Sequence, residues 1–313
     1  MYEIVISLYT LGVAVMSLFN DKVKKMWRGE REAFRVLRNS VDPGSRYVWF
    51  HAASLGEFEQ GRPIMERLRR EHPELKILLT FFSPSGYEVR KNYEGADIIC
   101  YLPLDTYFNA RRFLNLVHPE VAFFIKYEFW WNYLHILKRR NVPVYSVSSI
   151  FRPNQVFFRW YGRTYSNVLK CFTRFFVQNE VSRQLLAKLG ITEVEITGDT
   201  RFDRVLQIKS QAKSLPIVEA FRQDYKVFVA GSSWPPDEDI FIKYFNGRDD
   251  WKLIIAPHVI GEDHLQQILS KLKGKAVRYT EATPESVADA KILIIDCFGL
   301  LSSIYGKSEA KRS

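Results

Sequence analysis

Only three cysteines, Cys100, Cys171 and Cys297, occur in the 313 residues of this chain. They lie far apart in or beside apolar runs, with no CxxC spacing and no histidine cluster nearby. That pattern excludes a disulfide framework and a Cys/His zinc site, and predicts reduced thiols in a cytosolic setting. GxGxxG is absent, which removes the nicotinamide-binding fingerprint. Gly306-Lys307-Ser308 has the ending of a phosphate-binding P-loop, but its upstream glycine, Gly299, stands too far away and no strand–loop–helix unit follows. There is no internal repeat and no low-complexity tract. A secretory signal is missing too, because the positive charges follow the first apolar stretch and no small-residue cleavage site comes after it.

What the chain does have is the composition of a folded protein, 47% hydrophobic and 26% charged. Its length exceeds one compact core and predicts two domains. The net charge of +10 admits nucleic acid, an anionic membrane surface or an anionic substrate. No base-stacking platform or recognised nucleic-acid motif accompanies that charge, so nucleic acid is not an expected partner. Ile4 to Phe19 is apolar apart from Ser7, Thr10, Gly12 and Ser17, and is followed at once by Asn20, Asp21, Lys22, Lys24 and Lys25. It reads as a membrane anchor, short of the about 20 apolar residues wanted for spanning. The basic flank would stay cytoplasmic, with Trp27 at the interface. A buried core helix is the alternative. Since the strand pattern starts well after this segment, its removal is expected to leave the fold intact.

Apolar strand-like runs at Tyr47–Phe50, Ile77–Phe82, Ile98–Leu102, Val121–Ile125, Val142–Val147 and Phe172–Val177 alternate with helical patterns. The separating helices are expected at Glu57–Arg70, Ser85–Tyr93, Thr106–Leu116, Phe129–Arg140, Gln155–Leu169 and Asn179–Leu189. Such alternation predicts a parallel sheet covered by helices on both faces. Asp203 to Tyr225 reads as linker plus helix. A second set, Val227–Ala230, Leu253–Ala256 and Ile292–Ile295, shows about three strong strands where a doubly wound domain has about five or six. The expected division is an anchor with connecting helix over 1–40, a first domain over 41–205 and a partial second domain over 206–313. The short second sheet is expected to leave Ile292, Leu293 and Ile294 on an unpaired edge.

Trp49-Phe50-His51-Ala52-Ala53-Ser54-Leu55-Gly56-Glu57 places a carboxylate in a strand-to-helix turn of small residues. At the mouth of such a turn Glu57 can take a proton from an incoming hydroxyl, which is general-base chemistry. It can equally sit in the first helical turn and offset the helix dipole. A second carboxylate, Glu128, stands where another strand ends, in Ile125-Lys126-Tyr127-Glu128-Phe129-Trp130-Trp131-Asn132. Turns at strand C-terminal ends of a parallel sheet share one edge, so Glu57 and Glu128 are expected to face a common cleft. Gly231-Ser232-Ser233 and Pro257-His258 follow strands of the second domain, and Gly198-Asp199-Thr200-Arg201-Phe202-Asp203 lies just before the linker. A satisfied surface histidine is the other reading of His258.

Together these segments resemble the 3-deoxy-D-manno-octulosonic acid (Kdo) transferases of lipopolysaccharide assembly, from the anchor to about Tyr305. The family's His-Ala-x-Ser-x-Gly-Glu motif is matched by His51 to Glu57. Its Glu-Thr-Glu-x-Trp-Pro-Asn motif is matched in part, since Lys126, Tyr127 and Trp131 replace three positions while Glu128, Trp130 and Asn132 remain. Gly198 to Asp203 corresponds to a Thr-Gly-x-x-x-Phe-Asp segment, and Pro257-His258 stands where a Pro-Arg-His-Pro type loop is expected, without the arginine. The resemblance implies a GT-B type α/β fold of two Rossmann-like doubly wound domains, the second incomplete, behind an N-terminal membrane-anchor helix. It implies inverting transfer of Kdo from CMP-Kdo to a hydroxyl of the lipid A precursor at the cytoplasmic face of the inner membrane, with no metal and no cofactor. Glu57 would be the general base and Glu128 a second acidic residue on the acceptor side. Gly231, Ser232, Ser233, Pro257 and His258 would hold the donor, whose phosphate suits backbone N–H groups after Gly231. An anionic cytoplasmic membrane surface suits the basic first domain. The family's glycine-rich and His-Asn-x-Leu-Glu-Ala-Ala region should follow Tyr305 and does not, which reads as a truncated or frameshifted product. A catalytically impaired, membrane-attached glycolipid-binding fragment is the alternative function, distinguished by binding without CMP release.

Overall fold

The computed structural model describes residues 2–200, 215–297 and 299–307. It divides into two compact units, Met1–Arg204 and Val205–Ser313. The first opens with helices α1 (Tyr2–Met16) and α2 (Asp21–Ser40). There follow β1 (Tyr47–Ala52), α3 (Leu55–Glu71), β2 (Lys76–Phe81), α4 (Pro84–Arg90), β3 (Ile98–Tyr101) and α5 (Tyr107–Val117). Next come β4 (Pro119–Ile125), α6 (Trp131–Arg139) and β5 (Val144–Ser149), then 3-10 turns between Val156 and Cys171, and finally β6 (Arg174–Val177), α7 (Glu180–Ala187) and β7 (Val194–Ile196). The seven strands pair in parallel in the order β3-β2-β1-β4-β5-β6-β7.

Every residue of β1 is buried, as befits a central strand covered on both faces. Trp49 and Phe124 point to one face, against Phe113 and Tyr133 of α5 and α6. Val48, Phe50, Ile77 and Leu79 point to the other, under Phe58 and Met65 of α3. Helix starts are set by side chains that take up orphan N–H groups: Asn20 for α2, Ser83 for α4, Thr106 for α5 and Asn179 for α7. The stretch at Gln155–Leu169 forms 3-10 turns rather than the expected α-helix. At Gly162 a Cβ would collide with the carbonyl of Val156, so the chain doubles back there too tightly for a continuous helix.

The N-terminal 40 residues are packed into this unit. Ala33, Phe34 and Leu37 of α2 enter the main core, and Val13 of α1 meets Met26 and Tyr101. α1 is fastened at its start: Tyr2 Oη donates to Asp105 Oδ2 at 2.6 Å, and Glu3 Oε1 accepts from Asn132 Nδ2 at 2.6 Å. Removing this segment would therefore uncover core and strip Asp105 of a partner, contrary to the expectation of a separable anchor. Among the described residues no helix is long and apolar enough to cross a membrane. α1 exposes Ile4, Val5, Leu8, Leu11 and Val15 along its outer side.

The second unit carries α8 (Pro216–Arg222), β8 (Lys226–Ser233), α9 (Pro235–Phe245), β9 (Trp251–Pro257), α10 (Glu262–Lys271) and β10 (Ala276–Arg278). It ends with α11 (Pro284–Ala288), β11 (Ile292–Ile294) and α12 (Leu301–Lys307). The four strands are parallel in the order β10-β11-β9-β8. Ile292, Leu293 and Ile294 are thus not on an open edge, because the short β10 pairs beside β11 and all three side chains are buried. Of the expected linker, residues 203–214 lie outside the described residues. All three cysteines are free.

Candidate active site

In the first sheet the chain winds outward from β1 through β2 to β3, and in the other direction from β4 through β5 to β7. β1 and β4 are adjacent and parallel, so the crevice beyond their C-terminal ends is the topological switch point, where open α/β sheets bind ligands. Glu57 follows β1 and Glu128 follows β4, one on each side of it.

Glu57 is the third residue of α3, and its Oε2 accepts from the backbone N–H of Ser54 at 3.1 Å. The helix-capping role is real. Oε2 is the oxygen engaged in that cap. Burial pushes the Glu57 carboxyl above its usual range and the Glu128 carboxylate adds to this, against opposing contributions from His51, a backbone N–H and Lys126. The two carboxylates are therefore close enough to feel each other, and a raised pKa is what a base acting on a hydroxyl needs near neutrality.

Glu128 Oε2 accepts from Trp130 Nε1 at 2.7 Å and contacts His51 Nε2 at 3.1 Å. His51 is completely buried. Its Nδ1 lies 2.9 Å from Thr80 Oγ1, which accepts from Trp49 Nε1 at 2.8 Å. Thr80 Oγ1 also lies 3.4 Å from Phe50 O, and the Trp130 indole N–H lies 3.1 Å from His51 Nε2, so the indole bridges the histidine and the carboxylate. The chain Trp49, Thr80, His51, Glu128 thus fixes the carboxylate from beneath. Lys126, at φ 62°, holds the strained backbone turn just before it, its N–H bonded to Val147 O at 2.8 Å.

The turn after β4 is braced from a residue that sequence reasoning passed over. Asp105 accepts from the N–H groups of Asn132 and Tyr133, both at 3.0 Å, capping α6 from outside while also holding Tyr2. Burial raises its carboxyl to about 7. Only its position after a strand-like run hinted at such a role. His51 and Thr80 were visible as polar residues within apolar strands, which is itself a signal.

Asp199 lies in a separate polar group: Gln60 Nε2 donates to Asp199 Oδ1 at 2.8 Å and to Ser148 Oγ at 3.2 Å. Arg201, Phe202 and Asp203 of the same segment lie outside the described residues.

In the second unit Gly231, Ser232 and Ser233 end β8, while Pro257 and His258 end and follow the neighbouring β9. Ser232 has φ 55° and marks a bulge. A side chain at Gly231 would run into Tyr305 and Leu301 of α12, which accounts for the glycine. Ser233 Oγ donates to the buried Glu238 at 2.9 Å, and Glu238 meets His264 Nε2 at 2.8 Å. His258 is exposed with its ring stacked on Trp234, centroids 4.4 Å apart, and its N–H donates to Ser233 O. The start of α9 is poorer in anion donors than expected. Pro235 and Pro236 have no N–H, and that of Trp234 donates to Asp237 Oδ2 at 3.2 Å. No cluster of His, Cys, Asp and Glu suited to a metal occurs among the described residues.

The fold has counterparts among known structures. UDP-GlcNAc 2-epimerase from Neisseria meningitidis is similar in structure, with a TM-score of 0.55 at 14% identity over 83% of this chain and 74% of that one. The Methanocaldococcus jannaschii UDP-GlcNAc 2-epimerase gives 0.52 at 16% identity over 83% and 75%. The fold is accordingly a GT-B-like α/β fold. In sequence, a 3-deoxy-D-manno-octulosonic acid transferase from Haemophilus influenzae is 25% identical over 89% of this chain and 67% of its own length. One from Aquifex aeolicus is 26% identical over 82% and 66%. A bifunctional glycosyltransferase/methyltransferase from Fusobacterium nucleatum is 24% identical over 84% and 42%. The chain thus spans about two thirds, or less, of the length of these relatives. The family model described as 3-deoxy-D-manno-octulosonic-acid transferase (kdotransferase) matches residues 28–204, more than half of the chain, and includes both switch-point glutamates. The chain belongs to that transferase family.

Proposed function

We propose that this protein transfers Kdo from CMP-Kdo to a hydroxyl of the lipid A precursor with inversion, Glu57 acting as general base. The observation that carries the reading is the pair of carboxylates at the β1/β4 switch point, with Glu57 raised by burial and by Glu128. In the reaction the acceptor oxygen bonds to the anomeric carbon as the bond from that carbon to the CMP phosphate oxygen breaks. Glu57 Oε1 takes the hydroxyl proton and CMP leaves with the bonding electrons. Glu128, held by His51 and Trp130, orients the acceptor through a hydrogen bond from a sugar hydroxyl.

The donor belongs to the strand ends of the second unit, at Gly231, Ser232, Ser233, Pro257 and His258. With two prolines at the start of α9, its phosphate relies on the N–H groups of the β8 bulge rather than on a helix N-terminus. The acceptor is a lipid, and the exposed apolar side of α1 followed by Lys22, Lys24, Lys25 and Arg28 suits the anionic cytoplasmic face of the inner membrane. At 15 residues α1 is about 22 Å long, short of a roughly 30 Å hydrocarbon core, so it lies along the surface. Incubation with CMP-Kdo and acylated lipid A precursor should release CMP and add one Kdo mass to the lipid. Binding of the lipid with no CMP release would overturn the transferase reading.

A further inference from the structure

Beside Glu128 the first unit holds a cavity of about 470 Å³, within the range of ligand sites. Its walls are Tyr2, Phe82, Tyr127, Phe129, Phe157 and Tyr165, with Trp130 at the end where Glu128 sits. Polar side chains are scarce there. Gln155 and Glu128 are the two non-aromatic polar residues in the lining, and one oxygen of Glu128 is already occupied by Trp130 and His51. A sugar ring carries a hydroxyl on most of its carbons and would leave most of them unpaired against these walls, at a cost for each buried group. A hydrocarbon chain needs no such partners.

Tyr2, the first described residue of α1, is a wall of the cavity, so this end of the helix borders it, and further along the helix Ile4, Val5 and Leu8 are each more than half exposed. Tyr2 is fixed in place by its bond to Asp105 and by stacking on Trp131 and Tyr165 at 5.9 and 6.4 Å. Asp105 caps α6 at the same time, so the helix that exposes apolar surface and the turn that bears Glu128 share one brace. Val156, also in the lining, is exposed.

We propose that this aromatic cavity takes one fatty-acyl chain of the glycolipid acceptor, entering past α1, so that the sugar attached to it is presented to Glu128. The inference rests on the acceptor being a glycolipid, as in the proposed function. Lipid would then leave the membrane sideways, chain first, with its polar head stopped at the carboxylate.

The test uses the full chain on phosphatidylglycerol vesicles and two photoprobes with the same diazirine-bearing acyl chain, one a phosphorylated diglucosamine glycolipid, the other a phospholipid. After irradiation, the glycolipid probe should label Phe82, Tyr127, Phe157 or Tyr165 in peptide mass spectra, and the phospholipid probe should label only the outside of α1. Val156→Trp, which fills the rim, should lower cavity labelling about tenfold, the change expected for excluding roughly two methylenes. Labelling confined to α1, equal labelling of the cavity by both probes, or labelling unchanged in the folded V156W protein would each overturn the proposal. These readouts need no turnover. A protein labelled as expected that releases no CMP would sink the transferase reading and leave the cavity assignment standing.

Discussion

Glu57 Oε2 caps its own helix, and the proposed function gives the same carboxylate a second job as general base. Glu57→Gln keeps an acceptor at the third helical position, where Gln also serves in a capping box, so the fold should hold. Transfer should fall roughly a hundredfold or more, the scale of a lost general base. CMP release close to the wild-type rate would remove Glu57 from the mechanism. Glu30 is a different kind of buried acid. It sits on α2 beneath α1, Oε1 has no hydrogen-bond partner, and burial raises its carboxyl from 4.5 to about 8. Between those values the folded state holds a proton that the unfolded chain has lost, so stability falls as pH rises. The contribution is fully present below about 4.5 and gone above about 8, and the swing is on the order of a few kcal/mol. Asp105, raised to about 7, acts in the same direction. Glu30→Gln should flatten that slope and raise the melting temperature at pH 8. An unchanged pH profile would mean that Glu30 is hydrated.

At the scale of elements, the central strands were legible because both their faces are covered, and such strands are written as unbroken apolar runs. β7 and β10 were not. Each has three residues at a sheet edge, Val194–Ile196 and Ala276–Arg278, with a charged residue in it and no run to detect. The helix expected at Gln155–Leu169 has helical spacing of apolar groups, but close packing at Gly162 overrides it. For the site, the two glutamates could be found from their places after strands, whereas the Asp105 clasp could not, since it joins residues more than a hundred positions apart. Asp105→Asn keeps one acceptor oxygen where three donors converge. It should cost about 1–3 kcal/mol and speed hydrogen exchange both in α1 and at Asn132 and Tyr133. Faster exchange in α1 alone would show that the helix and the Glu128 turn are not braced together.

Over the whole molecule, the membrane attachment proposed above would draw separately on charge and on apolar surface. The net charge of +10, with Lys22, Lys24, Lys25 and Arg28 just after α1, attracts anionic headgroups. Each such residue near the surface contributes about 1 kcal/mol, and the attraction is screened over about 8 Å at physiological salt. The outer side of α1 contributes through burial of hydrocarbon, which salt does not screen. Deleting the helix would confound the two, because Ile6 and Val13 are buried and Tyr2 is bonded to Asp105. Leu8 and Leu11 are exposed at 65% and 62%, so Leu8→Asp with Leu11→Asp alters the membrane face alone. In co-sedimentation with anionic vesicles, the wild-type chain should stay bound at 1 M salt, where the Debye length is about 3 Å. The double variant should bind at low salt and come off as salt rises, with an unchanged melting temperature. Retention of the variant on vesicles at high salt would mean that the attachment surface lies elsewhere, with the exposed Trp160 and Tyr161 the next place to look.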